Sequence, residues 1–340
     1  MSEFMMAKYS GSVRVDLLGG TLDLEPINLI IPETITLNLA TSLKAEVHIE
    51  EFEKGKVQIH SLDYNTTEVY ETADFTSEKL LGDHFGHFSF VCQILNHFNL
   101  NSGVTINLKS GSPPGAGLGG SSSMGITLYS AICKYLNVEL DRQVGVNVVR
   151  GIEGRMLDSG PAGYQDYYPA IYGGVLALIP SPGKVEVDQL YSEELKSFLE
   201  ENITLVYSRQ TRLSGINNWE VYKGFFDKDE LIRKGLSEIA SLSQRAYQAI
   251  KTNHFSELPE LISKEGAIRK ELFPGIVSEK MNLVYTKVVE KVPSAGIKVC
   301  GAGGGGCFLI IHPEGSRDLV NQVVSENEMD VLPFSIEKPL

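Results

Sequence analysis

The stretch Ser112-Pro113-Pro114-Gly115-Ala116-Gly117-Leu118-Gly119-Gly120-Ser121-Ser122-Ser123 constrains this chain more than any other segment. Residues 103–109 (GVTINLK) before it alternate as a half-exposed strand, and MGITLYSAICKYL after it reads as an apolar helix. The order is therefore strand, glycine loop, serines, helix, with the serines where helix N-caps belong. A loop of this kind aims unpaired N–H groups and the positive end of a helix dipole at one point, and nothing bulky keeps a phosphate away. The plain alternative is a tight turn that only needs small residues.

The rest of the chain sets limits on what such a loop serves. Its 340 residues suffice for two domains, and with 42% hydrophobic and 21% charged residues it reads as an ordinary globular protein. No apolar run approaches the ~18 residues of a membrane span, and no basic-then-apolar leader opens the N-terminus. Cys92, Cys133, Cys300 and Cys307 show no CxxC pairing and read as reduced thiols. The expectation is a cytoplasmic protein that binds neither membrane nor nucleic acid, since its formal net charge is −13. That charge repels phosphates, so any phosphate ligand needs local donors: backbone N–H groups, a few Arg or Lys, and a metal ion.

Residues 12–18 alternate and run into Gly19-Gly20. Segments 36–52 and 56–71 look like a pair of antiparallel strands joined near Gly55, and 85–98 has helical spacing. A helix over about 141–157 precedes a glycine-containing turn and a strand at 173–179. Residues 228–291 carry helical patterns broken near Asn253 and Pro274. Strands at 296–300 and 307–311 flank the glycine run 301–306, and one helix and one strand close the chain. A strand-rich first half and a helix-rich second half predict an α+β protein of two domains, 1–190 and 191–340, with a soft boundary near 180–200.

Residues 115–120 and 301–306 both fit G-x-G-x-x-G. The dinucleotide-binding reading fails on context, because the strand before the loop alternates and no acidic residue closes a strand ~20 positions on. No Gly-Lys-Ser/Thr follows the loop, and the HRD and DFG signatures of protein kinases are missing.

PPGAGLGGSSS closely resembles the phosphate loop of the GHMP kinases, usually written P-x-x-x-G-L-x-S-S-A. VRVDLLGGTLDL (13–24) is similar to that family's N-terminal motif and KVCGAGGGGCFLII (298–311) to its C-terminal glycine motif. The resemblance implies two GHMP kinase domains, ribosomal-S5-like then ferredoxin-like, with the active site between them. It also implies an enzyme that uses ATP and Mg²⁺ to phosphorylate a hydroxyl of a small molecule. Residues 114–123 (Pro114, Gly115, Ala116, Gly117, Leu118, Gly119, Gly120, Ser121, Ser122 and Ser123) are then the nucleotide loop. The family commonly has serine where this chain has Gly120, so the magnesium serine moves to Ser121, with Ser122 and Ser123 as nearby substitutes.

Phosphoryl transfer asks for positioning and charge neutralisation. Asp166, in Gly163-Tyr164-Gln165-Asp166-Tyr167-Tyr168, resembles the family's catalytic aspartate, and Arg14 stands where GHMP kinases carry a cation beside it. Glu153, thirteen positions earlier, is the implied second magnesium ligand, a hard oxygen suited to Mg²⁺. Asp23 matches the acidic residue that binds substrate in sugar-type members, with Gly20, Thr21, Gly163, Gly303 and Gly304 as further substrate contacts. The G-G-x-x-D turn, Gln165-Asp166 and the unbroken GAGGGG resemble the heptose 7-phosphate kinase and fucokinase branch. YSRQTRLS (207–214) loosely resembles that branch's Y-T-G-x-x-R-x-S stretch and lacks its Thr-Gly pair. Arg212, ahead of Arg209, could fork a substrate phosphate, although a solvated basic loop is the plain alternative. Trp219 and the tyrosines of 164–172 could stack on a sugar or simply fill the core. A mevalonate-branch kinase and a non-catalytic sensor on the same fold are the competing readings. The expected assembly is a monomer or homodimer.

Overall fold

The computed structural model describes residues 6–113, 115–157, 162–210 and 216–340. Pro114 and Arg212 thus lie outside the described residues. Two sheets divide the strands. The first holds β1 (Met6–Leu18), β2 (Thr36–Glu51), β3 (Lys56–Ser61), β4 (Thr66–Glu71), β5 (Val104–Lys109), β6 (Val175–Ser181) and β7 (Lys184–Gln189), in the order β4-β3-β5-β2-β6-β7 with β1 on β2. The second holds β8 (Ile203–Tyr207), β9 (Gly296–Val299), β10 (Cys307–Ile311) and β11 (Asp330–Val331), ordered β11-β8-β10-β9 and antiparallel throughout.

β2 organises the first sheet. β1 runs antiparallel along one edge, from Met6 opposite Glu50 to Leu18 opposite Leu37, while the two ends of β2 pair with β6 and β5 on the other edge. The sheet is mixed because β3 lies parallel to β5. Segments 36–52 and 56–71 are therefore not one antiparallel pair. Residues 56–71 form their own hairpin, turning at Asn65 with φ +49°, and β5 inserts between β3 and β2. A local alternation pattern cannot see a later strand arriving between two earlier ones.

Helices Ser89–His97, Gly120–Tyr135 and Arg142–Met156 cover the first sheet and share one apolar core with β2, β3 and β5. Asp141 caps the third of these by accepting the Val144 amide. The helix-rich stretch divides into Asn218–Phe226, Glu230–Lys251, Leu258–Leu272 and Glu279–Lys291. Asn253 (φ +58°) and Pro274 mark the two breaks among the three helices of 228–291, as the sequence expects, and Asn218–Phe226 precedes them.

A second core cluster joins the halves. Val13, Val15 and Leu17 of β1 pack with Leu205 of β8, Leu309 of β10 and Leu261 of the helix 258–272. The chain's end then returns to the first sheet: Ser42 donates to the Ser335 carbonyl, Glu337 to Ala40 and Gly174 to Glu337. β1 is thus covered by the second half of the chain, and its Arg14 lines a cavity.

Candidate active site

The glycine loop is shaped by what it touches. The helix over Gly120–Tyr135 is entered through Gly119, at φ +71°, with no side-chain cap. The serines are therefore inside the first turn, and a Cβ on Gly119 would sit 2.9 Å from Asp166 Cγ. The Ser123 hydroxyl turns inward to the Gly11 and Ser12 carbonyls and Leu118 is fully buried, so both belong to the loop's foundation. Within the loop, Ala116 and Ser123 donate their amides to Pro113 and Gly119. Among the described residues, the amides of Gly119, Gly120, Ser121 and Ser122 have no intramolecular acceptor. They open onto a cavity of about 580 Å³, the size of a small-ligand site.

Arg14 projects from β1 into the same cavity. Its Nε donates to Asp166 Oδ1 at 2.9 Å, its Nη2 lies 2.8 Å from the same oxygen, and its Nη1 reaches the Gly117 carbonyl at 2.5 Å. Burial alone would lower the Arg14 pKa, but Asp166 and Asp16 outweigh it and hold the cation firmly protonated. Asp166 stands on the turn before the helix Tyr168–Tyr172, and Tyr164, Tyr167 and Tyr168 around it are buried in the core. These tyrosines anchor the turn and offer no stacking face.

Glu153 points inward from the helix Arg142–Met156, 6% exposed, and its Oε2 accepts the Ser122 hydroxyl at 2.7 Å and the Tyr167 hydroxyl at 2.6 Å. Burial pushes its pKa up, partly offset by these bonds and by Ser121. The serine held at bonding distance is Ser122, one position beyond the residue expected from the sequence; Ser121 is exposed at its side. The set of carboxylate and hydroxyl oxygens suits a hard cation. Among the described residues no three His, Cys, Asp or Glu side chains gather as a metal cage. Mg²⁺ commonly completes such a shell with phosphate oxygens and water.

Gly20, Thr21, Asp23 and Gly163 all line the same cavity. Asp23 is 4% exposed; its Oδ2 accepts the Gln165 amide at 3.1 Å, and a Cβ on Gly163 would overlap it. Its pKa is pushed up to about 7 by burial first and by the Asp166 charge second, against the Gln165 bond. Gln165 also donates its side-chain amide to the Gly20 carbonyl at 2.7 Å, tying the Asp23 turn to the Asp166 turn.

Four candidate contacts fall elsewhere. Gly303 and Gly304 pack on Ile276, with the Gly304 amide donating to its carbonyl; Gly301 and Ala302 line the cavity instead. The glycine run is the seat of the phosphate loop: Cys307 donates its amide to Ala116, and a Cβ on Gly306 would lie 2.6 Å from the Gly115 carbonyl. Arg209 is taken by a two-pronged bond to Asp330 at 2.6 and 2.5 Å on the surface. Trp219 is 55% exposed beside Tyr222 and does not line the cavity.

One group escaped sequence reasoning altogether. Asp16, Lys298, Glu265 and Arg269 form a buried ion cluster behind Arg14. Its signal was available as lone charges in short apolar strands, VRVDLL and GIKVC.

The chain is similar to several known proteins. Residues 87–174 match the GHMP kinases N terminal domain. The chain is 24% identical over 95% of its length to the bifunctional fucokinase/GDP-fucose pyrophosphorylase of Arabidopsis thaliana, spanning only 32% of that larger protein. It is 25% identical to the D-glycero-alpha-D-manno-heptose 7-phosphate kinase of Campylobacter jejuni, over 96% of this chain and 95% of that one. The fold superposes on Methanococcus jannaschii mevalonate kinase with a TM-score of 0.76 at 19% identity, covering 99% of both chains. Residues 87–174 are therefore similar to a GHMP kinase N-terminal domain, the fold is that of the GHMP kinase structures, and the chain is similar over most of its length to small-molecule kinases of the sugar and mevalonate kinds.

Proposed function

We propose that the protein transfers the γ-phosphoryl group of ATP to a hydroxyl of a sugar or sugar phosphate. The observation that carries this reading is the convergence, in one cavity, of four unpaired amides at a helix start with a carboxylate gripped by a buried arginine. The amides of Gly119 to Ser122 would bind the nucleotide's phosphates, offsetting the repulsion of an acidic protein. Arg14 fixes the rotamer of Asp166 and brings positive charge to the transferring group. Asp166 accepts the hydrogen bond of the attacking hydroxyl and orients its oxygen toward the phosphorus. Mg²⁺, held at Ser122, Glu153 and Ser121, would supply neutralisation of the charge that develops on the phosphate oxygens.

A polyol substrate is favoured by Asp23, a buried carboxylate whose Oδ1 makes no bond within the described residues and which suits a hydroxyl donor. The two-domain division at 190/191 belongs to the same reading, as does a site assembled from both halves. The test is ATP consumption with heptose 7-phosphates, fucose, galactose, mevalonate and homoserine. Turnover with mevalonate alone would move the protein to the other branch, and turnover with none would leave a sensor. Asp166→Asn should lower kcat by ~10²–10⁴ while nucleotide affinity holds, because the lost group acts on the acceptor.

A further inference from the structure

Lys298 on β9 is fully buried, as are Asp16 on β1 and Glu265 on the helix Leu258–Leu272. Its Nζ lies 2.7 Å from Asp16 Oδ1, 2.7 Å from Glu265 Oε1 and 3.1 Å from the Leu17 carbonyl. Arg269, one helical turn after Glu265 and 3% exposed, brings Nη1 to 3.8 Å from Asp16 Oδ2. With Arg14 and Asp166 the cluster holds three cations and three anions, so it is balanced as it stands. Burial raises and the three cations lower the Asp16 pKa, and the cations prevail.

Stability does not account for such a cluster. Apolar residues of similar volume commonly serve a buried interface as well as ion pairs do, or better. Directed bonds to the backbone are what apolar packing cannot supply, and this cluster makes them on both sides. Glu265 Oε2 accepts the Gly19 amide at 2.8 Å, and Gly19 opens the turn that carries Gly20, Thr21 and Asp23. Arg269 donates to the Val299 carbonyl at 2.8 Å and the Gly301 carbonyl at 2.5 Å. Gly301 in turn lies against the Gly117 carbonyl and Arg14 Nη2, where a Cβ would stand 2.7 and 3.2 Å away. Arg14 and Asp16, two apart on β1, face the cluster together.

We propose that Lys298, Glu265 and Arg269 are positioning residues for phosphoryl transfer: with Asp16 they register the substrate turn at Gly19–Asp23 against Arg14 and the phosphate loop. The proposal rests on the kinase reading. None of the three is assigned to touch the reacting atoms, although Arg269 borders the cavity; Lys298 acts through Leu17, Glu265 through Gly19 and Arg269 through Gly301.

The test compares Glu265→Gln with Glu265→Leu. Glutamine keeps an acceptor for the Gly19 amide and leaves Lys298 paired to Asp16, whereas leucine removes the acceptor. Assayed below their melting temperatures, the glutamine variant should keep kcat within about threefold of wild type. The leucine variant should lose at least tenfold, with KM for ATP nearly unchanged because the loop amides are intact. Equal kcat values in two folded variants would overturn the proposal, since a purely structural fastening predicts that equality. Should the leucine variant not fold, Arg269→Gln replaces it, as it can reach only one of the two carbonyls. A wild-type kcat there would overturn the proposal equally. Wild-type turnover in the substrate panel judges the kinase reading separately, so the two failures are distinguishable.

Discussion

Asp23 shows how one residue's surroundings set its chemistry. A carboxylate on a short turn is ordinarily a solvated cap, but here burial and the neighbouring Asp166 push its pKa up to about 7. The folded protein therefore holds a proton at Asp23 that the unfolded chain has already released above pH ~4. This group's contribution to stability is full below its unfolded pKa and is lost as pH rises toward 7. Above that it is flat at the lower level. Asp23→Asn should remove the slope, so the difference between wild-type and variant melting curves should grow from pH 4 to 7 and then level off. The variant should be more stable by up to about 4 kcal/mol at pH 8, three units at 1.36 kcal/mol each being the upper limit. A difference that did not change with pH would mean that Asp23 titrates normally. Above pH 7, where Asp23 is ionised, the same variant should raise KM for a polyol substrate, because an amide oxygen is a weaker acceptor than a carboxylate.

At the scale of elements, the phosphate loop and the Asp166 turn behave as one piece. Gly119 must take φ +71° and must also leave room for Asp166 Cγ, so alanine there offends twice. Left-handed backbone in a non-glycine residue costs about 1–2 kcal/mol, and the displaced carboxylate misaligns the acceptor hydroxyl. Gly119→Ala should lower Tm by a few degrees and kcat by on the order of 10²-fold, the penalty typical of an ångström's misplacement. Gly117→Val tests the other side of the loop. Its Cβ would sit 3.0 Å from the Cys300 carbonyl, so ATP binding should weaken more than turnover at saturation. Calorimetric titration with ATP separates the two effects.

Across the whole molecule, the phosphate loop from the first half rests on the glycine run from the second. Gly306→Ala, outside the proposed nucleotide loop, would push on the Gly115 and Ala116 carbonyls of that loop and strain the Cys307-to-Ala116 bond. ATP affinity should fall about tenfold, equivalent to ~1.4 kcal/mol, and an unchanged affinity would show that the loop keeps its shape without its seat. The sequence by itself determined the element types along most of the chain, the helix breaks at Asn253 and Pro274, and the grouping of Arg14, Glu153 and Asp166 as candidate chemistry. The first two rest on local periodicity and turn-forming residues, and the grouping rests on the resemblance of its motifs to those of the GHMP kinases. Only the tertiary structure decided that β5 separates β2 from β3, and that the Ser122 hydroxyl bonds Glu153 at 2.7 Å. Likewise it turned Gly303 and Gly304 from ligand contacts into packing against Ile276, and it assembled Asp16, Lys298, Glu265 and Arg269 into one cluster. The physical reason is common to all four. Each depends on which surfaces meet across 27 to 282 residues of chain, and neither the pattern of a strand nor the residues of a loop records its distant neighbour.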